Sequence, residues 1–401
     1  MEKLWIKERW YVSNYNFHSE VKEGIKLSNI EISDCTLREG EQQPGVVLTG
    51  EEKIRIAQAL DELGIHQIEA GMPAVSPEEE KTITHIAKAG LRAKILAFCR
   101  AIKDEIEIAR DCGVWGILCS LPSSTLLIEE KLKWPYERVI ETAVELTRFA
   151  HDQGLYVVFS PFDTTRADFQ FLSKYIQNVI AQGHVDRLRL VDTRGCISPH
   201  GIDFLIKKIR ELTDLPIEIH CHDDFGLATA NTLTAAAAGA NVLSTTMNGM
   251  GERSGNASTE EVAVALLLLY GLDLRLKYEK LYEVSCLVQE LTGVKLQPHK
   301  SVVGQNAFTF ESGAGLEGFA KGNPFISETY LPEVVGQKFN VLLGKKSGKY
   351  SIQMKLKELS LTVPDEKAST LLKEVKEQSE RTKRPVSDED FREMVKRVMA
   401  S

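Results

Sequence analysis

Residues 30–71 read IEISDCTLREGEQQPGVVLTGEEKIRIAQALDELGIHQIEAG, and the order of runs and turns in this stretch sets the fold. An apolar run at 30–35 gives way to a polar loop. GEEKIRIAQALDELG then places apolar residues three and four apart, the spacing of an amphipathic helix, and Gly64 stands where helices favour their C-terminus. A second apolar run follows at 66–70. The same beat continues to about residue 270, with runs at 93–98, 114–119, 155–159, 185–191, 217–222 and 242–247. Alternating strands and helices predict a parallel sheet covered by helices. Eight such units fit a closed (β/α)8 barrel. The rival is an open doubly wound sheet, but no GxGxxG follows the first run. The expected class is α/β: a TIM barrel with a smaller, mostly helical C-terminal subdomain.

The expected organisation is an N-terminal extension over 1–27, a catalytic barrel over 28–270, and a subdomain over 271–401 whose Gly-rich segment covers a barrel mouth. Across 401 residues the net charge is −8, which argues against nucleic acid as a partner, because phosphate binding needs clustered Lys and Arg. No apolar run approaches the roughly 20 residues that span a bilayer. The start, MEKLWIKERWYVSNYNF, mixes charge with aromatics and does not read as a secretion signal. Seven scattered cysteines with no CxxC pair match a reduced, cytoplasmic protein.

Barrel enzymes carry their chemistry at the C-terminal ends of the strands. The runs here lead into Asp34 and Arg38, Glu69, Arg100, Ser160 and Asp163, Asp192 and Thr193, His220 and His222, and Asn248. His220-Cys-His222 is the most informative set. Side chains alternate along a strand, so the two imidazoles share one face and Cys221 takes the other. Two imidazoles and a carboxylate make a divalent-metal site with open positions; two hydrogen-bonded core histidines are the bland alternative. Asp34 is the expected third ligand. It opens a loop with four ionised groups within nine residues, which read alone is a solvated charged loop. Arg38 is suited to holding an enolate oxygen.

DCTLREGEQ (34–42), HCHDDFG (220–226) and NGMGERSGN (248–256) resemble the three signatures of the DRE-type TIM-barrel metalloenzymes. Within that superfamily the chain most resembles the 2-isopropylmalate and homocitrate synthase group, and VLLGKKSG (341–348) extends the likeness into the subdomain. The resemblance implies a divalent ion (Mg, Mn or Zn) on Asp34, His220 and His222, with Asn256 beside or on it. It implies Arg38 at the developing oxyanion and Glu39 buttressing the metal. Thr193, Gln42, Glu69 and Arg100 would bind substrate, and 71–76 would set chain-length selectivity. It also implies a 2-oxo acid and acetyl-CoA as substrates, and a homodimer in which each subdomain covers its partner's barrel.

Two positions depart from the synthase pattern. Phe162 stands where the synthases carry a glutamate. FTFESGAG (308–315) lacks both histidines of their second-subdomain motif, with Gly315 at the last of them. A phenyl ring and a glycine move no protons; nearby His299 is either a substitute or a surface residue. The resemblance therefore implies a Claisen-type acyl-CoA:2-oxo acid synthase. The alternative is a retro-aldol lyase or decarboxylase of a 2-oxo or hydroxy diacid, using the same metal and arginine without acyl-CoA. An inactive relative with a binding role is the third class.

Overall fold

The structure, a computed structural model, describes residues 4–400. They form two compact units, one of residues 15–295 and one of 4–14 with 296–400. In the first, eight parallel strands close into a barrel: β1 (Glu31–Asp34), β2 (Gln67–Gly71), β3 (Lys94–Arg100), β4 (Gly116–Pro122), β5 (Tyr156–Phe162), β6 (Arg187–Asp192), β7 (Ile217–Cys221) and β8 (Val242–Thr245). Closure comes from β8 pairing with β1, Val242 opposite Glu31 through Thr245 opposite Asp34. Helices α1 (Gly50–Leu63), α2 (Pro77–Lys88), α3 (Lys103–Cys112), α4 (Tyr136–Asp152), α5 (Phe169–Gln182), α6 (Pro199–Arg210) and α7 (Ala228–Ala238) connect successive strands, and α8 (Thr259–Leu269) follows β8. The expected TIM barrel is present.

The local chemistry explains the boundaries. Thr49 and Glu52 satisfy each other's backbone N–H groups in a capping box that starts α1. Ile56, Ala57, Leu60 and Leu63 form its buried stripe, and Gly64 ends it at φ 100°, a left-handed conformation that favours glycine. The strand expected over 217–222 stops at Cys221, and the one expected over 242–247 stops at Thr245. His222 lies just past the ladder, in a bridge to Asn256.

The barrel interior is ionic in part. Arg187 pairs with Glu218 at 2.9 Å and donates to Gln67 at 2.7 Å; Gln67 in turn donates to Glu31 at 2.6 Å. Arg189 pairs with Glu218 at 3.4 Å and with Glu69. Apart from the half-buried Glu31, these side chains are all but excluded from solvent. Buried charges persist only when paired, and removing one partner costs about 3–5 kcal/mol.

The barrel unit runs further than the expected boundary at 270. Helix α9 (Leu281–Thr292) buries Leu281, Val284 and Val288, and Ser285 donates to Asn248 Oδ1 at 2.5 Å. In the other unit, α10 (Lys349–Glu358), α11 (Asp365–Thr382) and α12 (Asp388–Ala400) enclose Leu371, Val375, Phe391 and Met394. The expected helical character holds here. The N-terminal residues belong to this unit: Tyr11 N–H donates to Thr329 O at 2.8 Å and Leu331 N–H to Arg9 O at 2.9 Å. A Cβ on Gly315 would approach the Phe310 ring to 2.7 Å, so this turn is shaped around a glycine. No described helix is long and apolar enough to cross a membrane.

Candidate active site

The loop after β1 is a tight turn built on Cys35, whose carbonyl accepts from the N–H groups of Arg38 (3.1 Å), Glu39 (2.8 Å) and Gly40 (3.1 Å). Asp34 holds the turn from inside. Its Oδ1 accepts from Thr36 N–H at 2.9 Å, as in an Asx turn, and its Oδ2 accepts from Thr259 Oγ1 at 2.7 Å. Burial pushes the Asp34 carboxyl up to about 6 despite these bonds. The turn brings the next two charged residues to the barrel mouth.

Glu39, His220 and His222 meet there, with one ligand atom from each within 4.8 Å of the others. The structure gathers Glu39, not Asp34, with the histidines. Both Asp34 oxygens already accept hydrogen bonds, one from Thr36 in the turn and one from Thr259 at the start of α8, whereas Glu39 Oε1 is a buried acceptor with no hydrogen-bond partner. His220 Nδ1 is 3.0 Å from Ser244 Oγ, which fixes the ring. His222 Nε2 is 3.8 Å from Glu39 Oε1, and its Nδ1 is buried without a hydrogen bond. Asn256 donates to Met250 O at 2.9 Å, leaving its Oδ1 buried and unpartnered. Gly251, at φ 151°, leaves room for this amide; a Cβ would lie 2.0 Å from Asn256 Nδ2. Burial holds His220 well below its usual range and His222 down at about 4, so both rings are neutral near pH 7. Neutral imidazoles, a carboxylate and orphaned buried oxygens fit a divalent cation.

Arg38 is clamped beside this group. Its Nε donates to Glu69 Oε2 at 2.9 Å, one terminal nitrogen pairs with Glu39, and the same nitrogen donates to Gln42 Oε1 at 3.3 Å. Burial would lower the guanidinium's affinity for its proton, but Glu69 and Glu39 more than offset that, and Arg38 stays charged. Glu69 also takes Arg189, which donates to Ser244 at 3.0 Å, so one chain of contacts runs from Arg38 to His220. Burial alone would raise the Glu69 carboxyl; Arg189 and Arg38 hold it below the usual range.

A cavity of about 330 Å³ opens over these residues, lined among others by Arg38, Glu39, Gln42, Thr193, His220 and His222. Two expected substrate contacts are absent from its wall. Glu69 is fully buried with both oxygens held by arginines. Arg100 is turned away by Glu105 on the first turn of α3, which it meets at 2.6 Å, leaving its side chain largely exposed. Sequence reading missed Arg189, Ser244 and Lys131. The alternation in RLRLVD (187–192) does carry Arg189, since it sets two arginines on one face of a strand. The stretch 71–76 contributes Gly71, Met72, Val75 and Ser76 to a neighbouring cavity of about 540 Å³ that shares Arg38 and Gln42.

A closed barrel with a carboxylate, two neutral histidines and a fixed arginine at its mouth defines a TIM-barrel protein whose mouth carries residues that fit a divalent cation. Residues 29–288 match the HMGL-like family, and 302–383 match the homocitrate synthase post-HMGL domain-like family; the chain belongs to the HMGL-like family. It is 41% identical to a homocitrate synthase of Methanothermobacter thermautotrophicus over 97% of this chain and 98% of that one. To 2-isopropylmalate synthase 2 of Caldanaerobacter subterraneus it is 40% identical over 90% of this chain and 94% of the relative. The HMG-CoA lyase of Bacillus subtilis shares the fold at a TM-score of 0.60 and 20% identity, covering 69% of this chain and 98% of that structure.

Proposed function

We propose that this chain is a divalent-metal-dependent synthase that condenses an acyl-CoA with a 2-oxo acid. The observation that carries the reading is the buried Glu39–His220–His222 group sharing one cavity with a clamped Arg38. The synthase relatives, similar over nearly the whole chain, support it.

Glu39, His220 and His222 hold the metal, with Asn256 Oδ1 beside them; Mg, Mn and Zn all suit this nitrogen and oxygen donor set. When bound, the ion polarises the ketone of the 2-oxo acid. Arg38 holds the oxygen on which negative charge develops, and Glu69 fixes its fork before substrate arrives. Thr193 Oγ1 accepts from Asp163 N–H at 2.8 Å, which leaves its own O–H free to donate to the substrate carboxylate. Gln42 gives its oxygen to Arg38 and keeps its NH₂ for the substrate. The carbon beside the acyl-CoA thioester gives up a proton and bonds to the keto carbon, whose oxygen takes up a proton; water then cleaves the thioester, releasing CoA and a hydroxy acid with one carboxylate more than the 2-oxo acid. We further infer a cytoplasmic homodimer.

One observation favours a second reading. Phe162 lines the cavity and offers no proton-transfer group. Retro-aldol cleavage of a hydroxy or 2-oxo diacid needs the same metal and Arg38 but no thioester enolisation. Metal-loaded protein incubated with 2-oxo acids, with and without acetyl-CoA, and followed by mass spectrometry separates the two. A condensed hydroxy acid with one carboxylate more than its 2-oxo acid supports the synthase; a shortened acid formed without CoA supports the lyase.

A further inference from the structure

One lysine occupies a place in the sequence pattern that belongs to an apolar side chain. The buried stripe of α1, Ile56, Ala57, Leu60 and Leu63, runs back three residues to Lys53, which is 1% exposed. A lysine is buried to this degree only when its charge is paired. Lys53 Nζ donates to Glu41 Oε2 at 2.9 Å and to Glu79 Oε1 at 2.5 Å, so one buried cation joins two carboxylates that are themselves mostly covered.

The three charges come from three parts of the barrel mouth. Glu41 lies in the loop after β1, Lys53 in α1, and Glu79 in the first turn of α2, where a helix N-terminus favours a carboxylate. Gly71 ends β2 at φ 147°, and a Cβ there would lie 2.0 Å from Glu79 Oε1 and 3.0 Å from Lys53 Nζ. The end of β2 thus leaves room for the cluster.

Glu41 is the member nearest the metal group. Its Oε1 accepts from Leu48 N–H at 3.1 Å while Oε2 takes Lys53, so one carboxylate closes the loop over 41–48 and fastens it to α1. Glu41 also sits in a single 3₁₀ turn, Gly40–Gln42, that continues from the turn built on Cys35. Gln42 N–H donates to Glu39 O at 3.1 Å, and Gly40, Glu39 and Arg38 all donate to Cys35 O. With the backbone bonded turn upon turn, a displaced Glu41 carries Glu39 and Arg38 with it.

We propose that Lys53 is a positioning residue: through Glu41 it sets the place of the turn that presents Glu39 to the metal and Arg38 beside it. Lys53 itself lines neither the metal group nor the cavity over it. This rests on the metal-dependent synthase reading and adds a buried support to it. Outer partners that orient metal ligands are worth about 10–100-fold in affinity. An ion cluster that only stabilised the barrel would make Glu41 and Glu79 equivalent; a positioning role makes them unequal.

The test compares full-length Glu41→Gln, Glu79→Gln and Lys53→Met with wild type, by Mn(II) competition against a chelating dye and by urea unfolding. A glutamine at 41 keeps the shape but has a single oxygen, so it turns its NH₂ toward either Leu48 N–H or Lys53 and the tie breaks. A glutamine at 79 can keep its oxygen on Lys53. Glu41→Gln should bind Mn(II) about tenfold more weakly than wild type, and Glu79→Gln within about twofold, whatever their urea midpoints. Lys53→Met should fall with Glu41→Gln where it folds; where it does not, the glutamine pair decides. Wild-type affinity in Glu41→Gln overturns the proposal, as does an equal loss in both glutamine variants. Wild-type protein that binds no Mn(II) removes the metal group and this inference together, whereas a missing CoA release with Mn(II) binding intact sinks the synthase reading alone.

Discussion

His222 Nε2 lies 3.8 Å from Glu39 Oε1, both buried, while Asp34, five residues before Glu39, spends its carboxylate on Thr36 and Thr259. That division of labour between two nearby carboxylates predicts opposite outcomes for two similar substitutions. Glu39→Gln should weaken divalent-metal affinity about 100-fold or more, since a ligand matters at least as much as the outer partners worth about 10–100-fold. Asp34→Asn should keep metal affinity within a few-fold. Competition with a chelating dye measures both; tight binding in Glu39→Gln would return the ligand role to Asp34.

The same carboxylate shapes the pH dependence of the metal-free protein. His222 falls from its usual 6.5 to about 4 on folding, so the unfolded chain binds more protons between those values, and stability is lost as pH drops through that window. Burial of His220 acts in the same direction. Asp34 opposes them: raised from 3.8 to about 6, it makes the folded state bind more protons, so its penalty is relieved on acidification. Asp34→Asn should therefore lose urea stability more steeply than wild type between pH 7 and 5. Parallel curves would contradict these assignments.

The sequence showed most of the barrel, because each strand is an apolar run ended by a turn and each helix a periodic stripe. Strands β7 and β8 end one or two residues before their apolar runs do, since a strand stops where backbone pairing stops and not where apolar residues give out. The histidines were legible through strand alternation. The choice between Asp34 and Glu39 was not: it depends on a turn in which Cys35 O collects three N–H groups and turns Glu39 inward. The Arg38–Glu69–Arg189–Ser244–His220 chain joins five strand ends or their loops, and no local pattern encodes such contacts. The N-terminal residues likewise joined the C-terminal unit through pairings more than 300 residues apart in sequence.

Arg38→Lys should lower kcat about 100- to 1000-fold with metal affinity nearly unchanged. A point charge cannot keep the fork held by Glu69 and also reach an oxyanion. Steady-state rates beside a metal titration check this; a variant keeping a third of wild-type kcat would remove Arg38 from the oxyanion role.

Arg100→Ala should change kcat/KM less than about twofold. Its side chain is mostly exposed and meets the buried Glu105 on α3 instead of the cavity, and the backbone N–H of residue 100, which donates to that carboxylate at 2.7 Å, stays in the variant. A tenfold rise in KM for a 2-oxo acid would place it back at the substrate.

The most direct test of the account is thiol release from acetyl-CoA by metal-loaded protein, assayed against pyruvate, 2-oxoisovalerate and 2-oxoglutarate. The synthase reading predicts CoA released in step with a new hydroxy diacid (from pyruvate or 2-oxoisovalerate) or hydroxy triacid (from 2-oxoglutarate) for at least one of these acids, with release abolished by chelator and in Glu39→Gln. No CoA from any of them, together with metal-dependent cleavage of a hydroxy or 2-oxo diacid, would contradict it and establish the lyase.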